Sequence, residues 1–262
     1  MGDAVTPRNV VKLVRDLQRR KARERRELVL LEGRRLVADA LNGGARVVAV
    51  LASDHVEHAP DVGPLVAKAR QSGASVEVVA RKDFEALADT DSPSGVLAVA
   101  EWEPVALDRL PAPGARAVAL VLDGVQDPGN VGTMIRTAHA LGAWCTIALD
   151  GTADVRGPKV LRGAMGSHFR HPIAEASFDE LAAFVERREI SVLLAASDGT
   201  AIPLAAPRFP LAVVVGSEGH GVRAAWNATT ARRIAIAMTG DAESLNAAVA
   251  AGILLHELLR VA

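Results

Sequence analysis

Apolar and polar positions follow the periods of helices and strands in turn along this chain. Apolar residues at helical spacing predict a helix over residues 8–17, and an unbroken apolar run predicts a strand over residues 28–33. A helix is predicted over 34–41, and the same alternation continues up to residue 102. Such a succession is typical of a compact α/β domain of about a hundred residues.

The pattern stops once and then resumes. Residues 105–116 contain prolines and a glycine without periodicity, which predicts a linker. The run "AVALVLDGV" after it is typical of a strand that is buried on both faces in a parallel sheet. Later segments of similar pattern predict strands over 144–150, 191–197, 211–219 and 232–238 and helices over 132–143, 177–189 and 245–259. We therefore predict one α/β domain over 1–104 and a second, with a mostly parallel sheet, over 117–262.

Composition indicates a reducing compartment. Half of the 262 residues are hydrophobic, which is enough to build cores without crosslinks. The one cysteine, Cys145, excludes an internal disulfide and, beside Trp144 in an apolar run, is expected in the core rather than as a nucleophile. The first residues lack the apolar stretch of a secretory signal, and no later run is long enough to span a bilayer. A soluble, cytoplasmic protein is expected.

Positive charge is concentrated in one segment, although the net charge is only -1. The candidates for RNA contact in this segment, which we name the arginine cluster, are Arg19, Arg20, Arg23 and Arg26. The cluster is suited to neutralising phosphates, or it is the solvated face of a helix. Aromatic residues make up 3% of the chain, so bases have few stacking partners and an RNA contact would rest on arginine and main-chain groups.

Three polar, glycine-bearing stretches follow predicted strands of the second domain: "DGVQDPGNVGTMIR", "GSEGHGV" and "TGDAESLN". Loops at the carboxyl ends of parallel strands are where ligands gather. None of the three matches a dinucleotide or phosphate-loop pattern, which argues against a nucleotide-dependent oxidoreductase. Val215 stands where a serine hydrolase needs its first glycine. His168 and His171 lack nearby cysteines or a carboxylate cluster, so no metal is expected.

The start of the last helix allows two interpretations. Ser244 or Asp241 can cap it, and Glu243 suits the positive end of its dipole. The alternative is that Ser244 and Asn246 serve chemistry.

The order and internal spelling of the three stretches resemble the signature motifs of the SpoU family of RNA ribose 2′-O-methyltransferases, part of the SPOUT class. The resemblance covers the C-terminal half, and residues 12–41 further resemble a small L30e-like substrate-binding domain. It implies a deep trefoil knot in the C-terminal domain, which no periodicity can predict. It also implies a homodimer in which the C-terminal helix packs against its partner.

The resemblance further implies transfer of a methyl group from S-adenosylmethionine to a ribose 2′-hydroxyl. The added N-terminal domain and the arginine cluster favour a large structured RNA, with 23S ribosomal RNA the first choice of substrate and transfer RNA the second. A non-catalytic RNA-binding or assembly protein of the same fold is the rival interpretation. The implied catalytic residues are Asn130, Arg136, Glu218, Ser244 and Asn246. The implied donor pocket consists of Ala195, Gly216, Ser217, Glu218, Gly219, Ile236, Met238 and Leu245.

Arg136 is the family's candidate both for RNA contact and for general base. A guanidinium stays charged because its pKa lies above about 12, so proton abstraction by Arg136 is chemically demanding. The alternative is that Arg136 binds the adjacent phosphate and stabilises the developing alkoxide, while a neighbouring group or water assists proton loss.

Overall fold

The computed structural model describes residues 7–202, 207–241 and 244–261. The helices are α1 (Pro7–Leu17), α2 (Arg20–Arg26), α3 (Arg34–Asn42), α4 (Gly63–Gln71), α5 (Arg81–Glu85), α6 (Pro128–Leu141), α7 (Pro158–Ala164), α8 (Phe178–Arg187) and α9 (Ala247–Val261). The strands are β1 (Leu28–Glu32), β2 (Val47–Ser53), β3 (Ser75–Val79), β4 (Val96–Glu101), β5 (Val118–Asp123), β6 (Cys145–Leu149), β7 (Ile173–Ala176), β8 (Ser191–Ala201), β9 (Leu211–Gly216) and β10 (Arg232–Ala235). No helix among these residues is long and apolar enough to cross a bilayer.

The first sheet has four strands in the order β1-β4-β2-β3. Strand β4 pairs antiparallel with β1 and β2, whereas β2 and β3 are parallel. Successive residues of β1 point to opposite faces. Val29 and Leu31 pack in the core with α3 and α4, and Leu30 packs in a separate core with α1. Helices therefore cover both faces of this sheet.

The second sheet has six strands in the order β10-β8-β9-β5-β6-β7, and every neighbouring pair is parallel. The predicted parallel sheet is confirmed, and β5 is buried along its whole length. The chain adds β6 and β7 on one side of β5. It then crosses to the other side, where it forms β8, places β9 between β8 and β5, and adds β10 at the outer edge beside β8. The chain leaves β5 toward one edge of the sheet and leaves β9 toward the other, so a topological switch point lies between these two strands. Ligands bind at such switch points, beyond the carboxyl ends of the strands. The implied knot stays a prediction.

Two compact units make up the chain, and their boundaries differ from the predicted ones at two segments. The predicted linker, residues 105–116, belongs to the second unit, where Leu110 is buried in the core. The first unit is Met1–Glu103 together with Arg156–Phe169, and the second is Pro104–Val155 with Arg170–Ala262. Residues 156–169 were predicted to belong to the second domain, but they belong to the first unit. Leu161 of α7 lies in the core of the first unit, where Arg162 also donates to Glu32 at 3.1 Å. Apolar periodicity does not report which core a helix joins.

Helix α6 begins four residues earlier than predicted. Asp127 caps it, because its Oδ1 accepts the amide of Asn130 at 2.7 Å, and Pro128 suits the first helical turn. Helix α7 and the four-residue strand β7 were not predicted, and helix α2 was only one of two interpretations of the arginine cluster. Six of the seven residues of α2 are charged, so this helix has no apolar periodicity from which it could be predicted.

Helix α9 begins at Ala247 rather than at the predicted residue 245. The Oδ1 atom of Asn246 accepts the amides of Ala248 at 3.0 Å and Val249 at 3.2 Å. Asn246 is therefore the cap of this helix, and neither Ser244 nor Asp241 takes that place. The predicted dipole partner Glu243 lies outside the described residues.

Cys145 is buried at the start of β6, which confirms its predicted place in the core. Burial raises the pKa of its thiol far above the ordinary range. The thiolate, which is the reactive form, is therefore disfavoured at this position.

Candidate active site

A cavity of about 270 Å³ lies in the second unit, where the ends of β8, β9 and β10 meet the start of α9. Its wall is mostly apolar, with Ile234 and Leu254 behind the predicted residues. The predicted donor-pocket residues that line it are Ala195, Gly216, Ser217, Glu218, Ile236, Met238 and Leu245. Gly219 is not among the lining residues, although it belongs to the same loop.

We name residues 217–223 the β9 loop, since they follow β9 directly. The loop closes on itself because Ser217 and Gly221 exchange main-chain hydrogen bonds of 3.1 and 2.9 Å. A Cβ at Gly216 would collide with the main-chain carbonyl of Gly221, so only glycine fits. Gly221 itself has a φ of +65°, in the left-handed region. These two glycines set the path of the loop beside the cavity.

Three predicted catalytic residues, one from each motif, form a hydrogen-bonded chain. The Nδ2 group of Asn130 donates to Oε1 of Glu218. The Nδ2 group of Asn246 donates to Oδ1 of Asn130 at 3.1 Å, while its own Oδ1 caps α9. Each amide therefore has a donor and an acceptor committed, which fixes its orientation. We name Glu218, Asn130 and Asn246 the amide chain.

The other two predicted catalytic residues lie outside this chain. Ser244 lines the cavity. Arg136 is on the exposed surface of α6, six positions after Asn130 and so about 9 Å further along the helix axis. Helix α6 packs against α9, so both helices that carry the amide chain are held together.

No role for Asp123 was predicted from the sequence, and this residue is 3% exposed at the end of β5. Its carboxylate accepts the amide of Arg223 at 2.8 Å, the Nε of Arg223 at 2.6 Å and the Nε1 of Trp226 at 3.0 Å. The signal available in the sequence for a role of Asp123 was a charged residue at the end of an otherwise apolar strand. Its partners lie about a hundred positions away, where spacing gives no guidance.

Comparison with known proteins bears directly on this arrangement. A profile of the SpoU rRNA Methylase family matches residues 117–256, which contain the cavity and the amide chain. The chain belongs to the SpoU rRNA methylase family. A profile of the MRM3-like substrate binding domain matches residues 8–98. The chain is therefore an S-adenosylmethionine-dependent RNA 2′-O-methyltransferase with an added substrate-binding domain.

Individual relatives of this SpoU methylase cover nearly its whole length. The 23S rRNA (guanosine(2553)-2′-O)-methyltransferase RlmP of Bacillus subtilis is 34% identical over 95% of this chain and 95% of its own. An rRNA methyltransferase of Sinorhizobium meliloti with AdoMet bound is 30% identical, covers 98% of this chain and 97% of its own, and has a TM-score of 0.83. The SpoU methyltransferase AviRb of Streptomyces viridochromogenes, also solved with AdoMet, is 28% identical, covers 96% and 97%, and has a TM-score of 0.84.

The cavity of this SpoU methylase suits the methyl donor. Its apolar wall, with Ile236, Met238 and Leu245, can flank an adenine ring, as apolar linings do in small-molecule sites. Its polar edge carries the hydroxyls of Ser197 and Ser244 and the carboxylate of Glu218, which can accept hydrogen bonds from a ribose or an ammonium group.

The structure separates the members of the arginine cluster, which lies in the substrate-binding unit. Arg20 pairs with Glu24 at 2.7 Å and Arg26 pairs with Asp16 at 2.9 Å, and both arginines remain exposed, as does Arg19. Arg23 is 5% exposed, because it turns inward and donates to the carbonyls of residues 17 and 18 at the end of α1. The prediction that Arg23 contacts RNA is wrong for this geometry, since its guanidinium fastens α1 instead.

The two histidines considered as metal ligands have other partners. His168 contacts the ring of Trp102, with centroids 4.9 Å apart, and belongs to the first unit. His171 lies 2.9 Å from the hydroxyl of Thr146 in the second unit. Within residues 7–202, 207–241 and 244–261, no group of three His, Cys, Asp or Glu side chains could hold a metal ion.

Proposed function

We propose that this protein methylates a ribose 2′-hydroxyl in 23S ribosomal RNA. The observation that carries the proposal is the amide chain beside a cavity that suits the donor, because it joins all three motifs where donor and substrate would meet. The choice of 23S RNA is supported by the Bacillus subtilis relative, which matches both units of the chain. Transfer RNA is the second choice.

S-adenosylmethionine, when bound, would supply a sulfonium-activated methyl carbon, from which an attacking oxygen displaces the thioether sulfur. The chain has to align this oxygen, because in-line geometry supplies much of the rate. Asn130 and Asn246 hold each other and Glu218 in one fixed arrangement. We assign to this amide chain the positioning of the β9 loop against α6 and α9, and to the Ser244 hydroxyl a contact at the cavity mouth.

Arg136 is assigned to the substrate side of the site. It is exposed on α6, where a planar guanidinium can contact a phosphate of the RNA with two donors. Its permanent charge also stabilises negative charge that develops on the 2′-oxygen as the proton leaves to water or to a neighbouring group. Arg136 is therefore proposed as a phosphate-binding and charge-stabilising residue rather than as the base.

The first unit is proposed to bind the RNA at a distance from the reacting ribose. The exposed members of the arginine cluster, Arg19, Arg20 and Arg26, can contact phosphates. The carboxylates of Glu24 and Asp16 neutralise two of them in the free protein, so an RNA phosphate has to compete for these guanidinium groups. We therefore expect a modest contribution from each arginine.

The decisive experiment measures transfer of labelled methyl from S-adenosylmethionine to separate pools of unmodified ribosomal and transfer RNA. Digestion to nucleosides then shows which nucleoside carries the label. Arg136→Ala tests the assigned role, and Arg136→Lys asks whether charge without the planar guanidinium suffices. Arg187→Ala is the matched control, since Arg187 is an exposed arginine of the same unit that pairs with Asp108.

Label in a 2′-O-methylnucleoside of 23S RNA, lost in Arg136→Ala and kept in Arg187→Ala, is the expected result. Label only in transfer RNA would move the substrate to the second choice. Donor binding without label in any pool would favour the RNA-binding or assembly protein. Near-normal turnover of Arg136→Ala would refute both versions of its role.

The homodimer is proposed to form through the outer face of α9. Val249 and Ile253 lie one turn apart on this helix and are 51% and 38% exposed, whereas Leu254 and Leu255 point into the core. We expect Val249→Asp with Ile253→Asp to give a monomer in sedimentation analysis without unfolding it. Wild-type protein that sediments as a monomer would exclude the dimer. The cytoplasmic location stays a prediction.

A further inference from the structure

We infer that Asp123 and Arg223 form a positioning pair that holds the β9 loop in the shape the donor cavity requires. The inference rests on the proposed assignment of the cavity to the donor. The cavity is lined by Ser217, Glu218 and Gly221 of this loop and by Gly216, which directly precedes it. The path of the loop therefore sets the shape of the cavity.

The loop is fastened at two points. Near its start, Glu218 accepts from Asn130 of α6. At its end, Arg223 binds Asp123 through both its main-chain amide and its side chain. The side chain of Asp123 is 2% exposed and that of Arg223 is 27% exposed, so the pair is largely shielded from solvent.

The second fastening point connects three parts of the sheet. Asp123 ends β5, and Arg223 Nη2 also donates to the carbonyl of Asp150, directly beyond β6, at 2.9 Å. The guanidinium lies 5.7 Å from the ring centre of Phe178, at the start of α8. A guanidinium that is held by a carboxylate, a carbonyl and a ring face has few other positions available.

Such a pair acts on binding through geometry. The main-chain amide of Arg223 fixes the backbone two residues after Gly221, and Gly221 in turn forms the close contact with Gly216. If the pair is broken, main-chain hydrogen bonds alone hold the end of the loop, and the cavity loses its defined wall on that side. Donor binding should weaken even in protein that is fully folded.

The test compares Arg223→Gln, Arg223→Lys and Asp123→Asn in the full-length protein. Binding of S-adenosylmethionine is measured by calorimetry at a temperature where thermal unfolding shows each variant to be folded. We expect Arg223→Gln and Asp123→Asn to weaken donor binding about 10-fold. Arg223→Lys should weaken it less, because lysine keeps the charge, although its single nitrogen cannot replace both Nε and Nη2. In methyl transfer, the KM for the donor should rise while the KM for RNA stays unchanged.

Two controls separate the possible failures. Arg187→Gln breaks an exposed arginine–aspartate pair of similar length, and it should leave donor binding unchanged. Leu245→Trp fills the cavity and should abolish donor binding. If Leu245→Trp binds the donor normally, the cavity assignment itself is wrong. If Leu245→Trp abolishes binding while folded Arg223→Gln and Asp123→Asn bind within twofold of wild type, the positioning pair is refuted.

Discussion

Asn246 has two functions that one substitution can separate. Its Oδ1 caps α9 through two amides, and its Nδ2 donates to Asn130 at 3.1 Å. Asn246→Ala removes both. Asn246→Asp keeps an oxygen for the cap and suits the positive end of the helix dipole, but it removes the donor to Asn130.

The magnitudes follow from the bonds involved. Loss of an N-cap costs about 1 kcal/mol, which lowers the Tm of a chain of this size by roughly 2–4 °C. Loss of one neutral hydrogen bond costs about 1 kcal/mol, which corresponds to a rate decrease of roughly fivefold if the bond acts in the transition state. We expect both variants to lose rate, and we expect the Tm of Asn246→Asp to fall less than that of Asn246→Ala, because the carboxylate keeps the cap.

Scanning calorimetry and single-turnover methyl transfer check the two effects on the same preparations. Wild-type turnover in Asn246→Asp would show that the amide chain does not contribute to the reaction. A Tm decrease in Asn246→Asp as large as that in Asn246→Ala would show that the cap is not what stabilises α9.

Three further predictions concern other parts of the chain. Arg20→Ala should reduce the slope of log RNA affinity against log salt concentration by about 1 without changing Tm. Arg23→Ala should lower Tm, because it removes the guanidinium donors at the end of α1. Equal effects of the two variants on RNA binding and on Tm would contradict this division. The Cys145 thiol, whose pKa burial raises, should resist a thiol reagent at pH 8 until the protein is unfolded, and rapid native labelling would place it outside the core. Arg162→Met should destabilise the first unit by about 3 kcal/mol in urea unfolding, because it leaves the carboxylate of Glu32 buried without its cation; an unchanged midpoint would show that the ion pair is not needed.

The sheet of the second unit could be predicted because its strands are continuous apolar runs, and β5 is buried at every position. Strand β7 could not, since four residues that include Glu175 carry too little pattern. Helix starts depend on single side-chain hydrogen bonds. The cap by Asn246 was missed because Ser244 and Asp241 are equally good caps by residue type.

The motifs indicated most of the residues around the cavity, but not how they connect. Asn130, Glu218 and Asn246 were predicted from the resemblance, whereas their mutual hydrogen bonds depend on the packing of α6 against α9. The burial of Arg23 could not be predicted, since a run of arginines in the sequence does not reveal which side chain turns inward. The pairing of Asp123 with Arg223 joins residues that only the folded sheet brings together.

The assignment of residues 156–169 to the first unit affects how such proteins can be recombined. The chain passes between the two units three times, after residues 103, 155 and 169. A chimera of two related proteins made by a single crossover after residue 103 would therefore combine Glu32 and its surrounding core from one parent with α7 from the other. A transplant of substrate specificity has to move two separate pieces of sequence, 1–103 and 156–169, because the substrate-binding module is not contiguous in the gene.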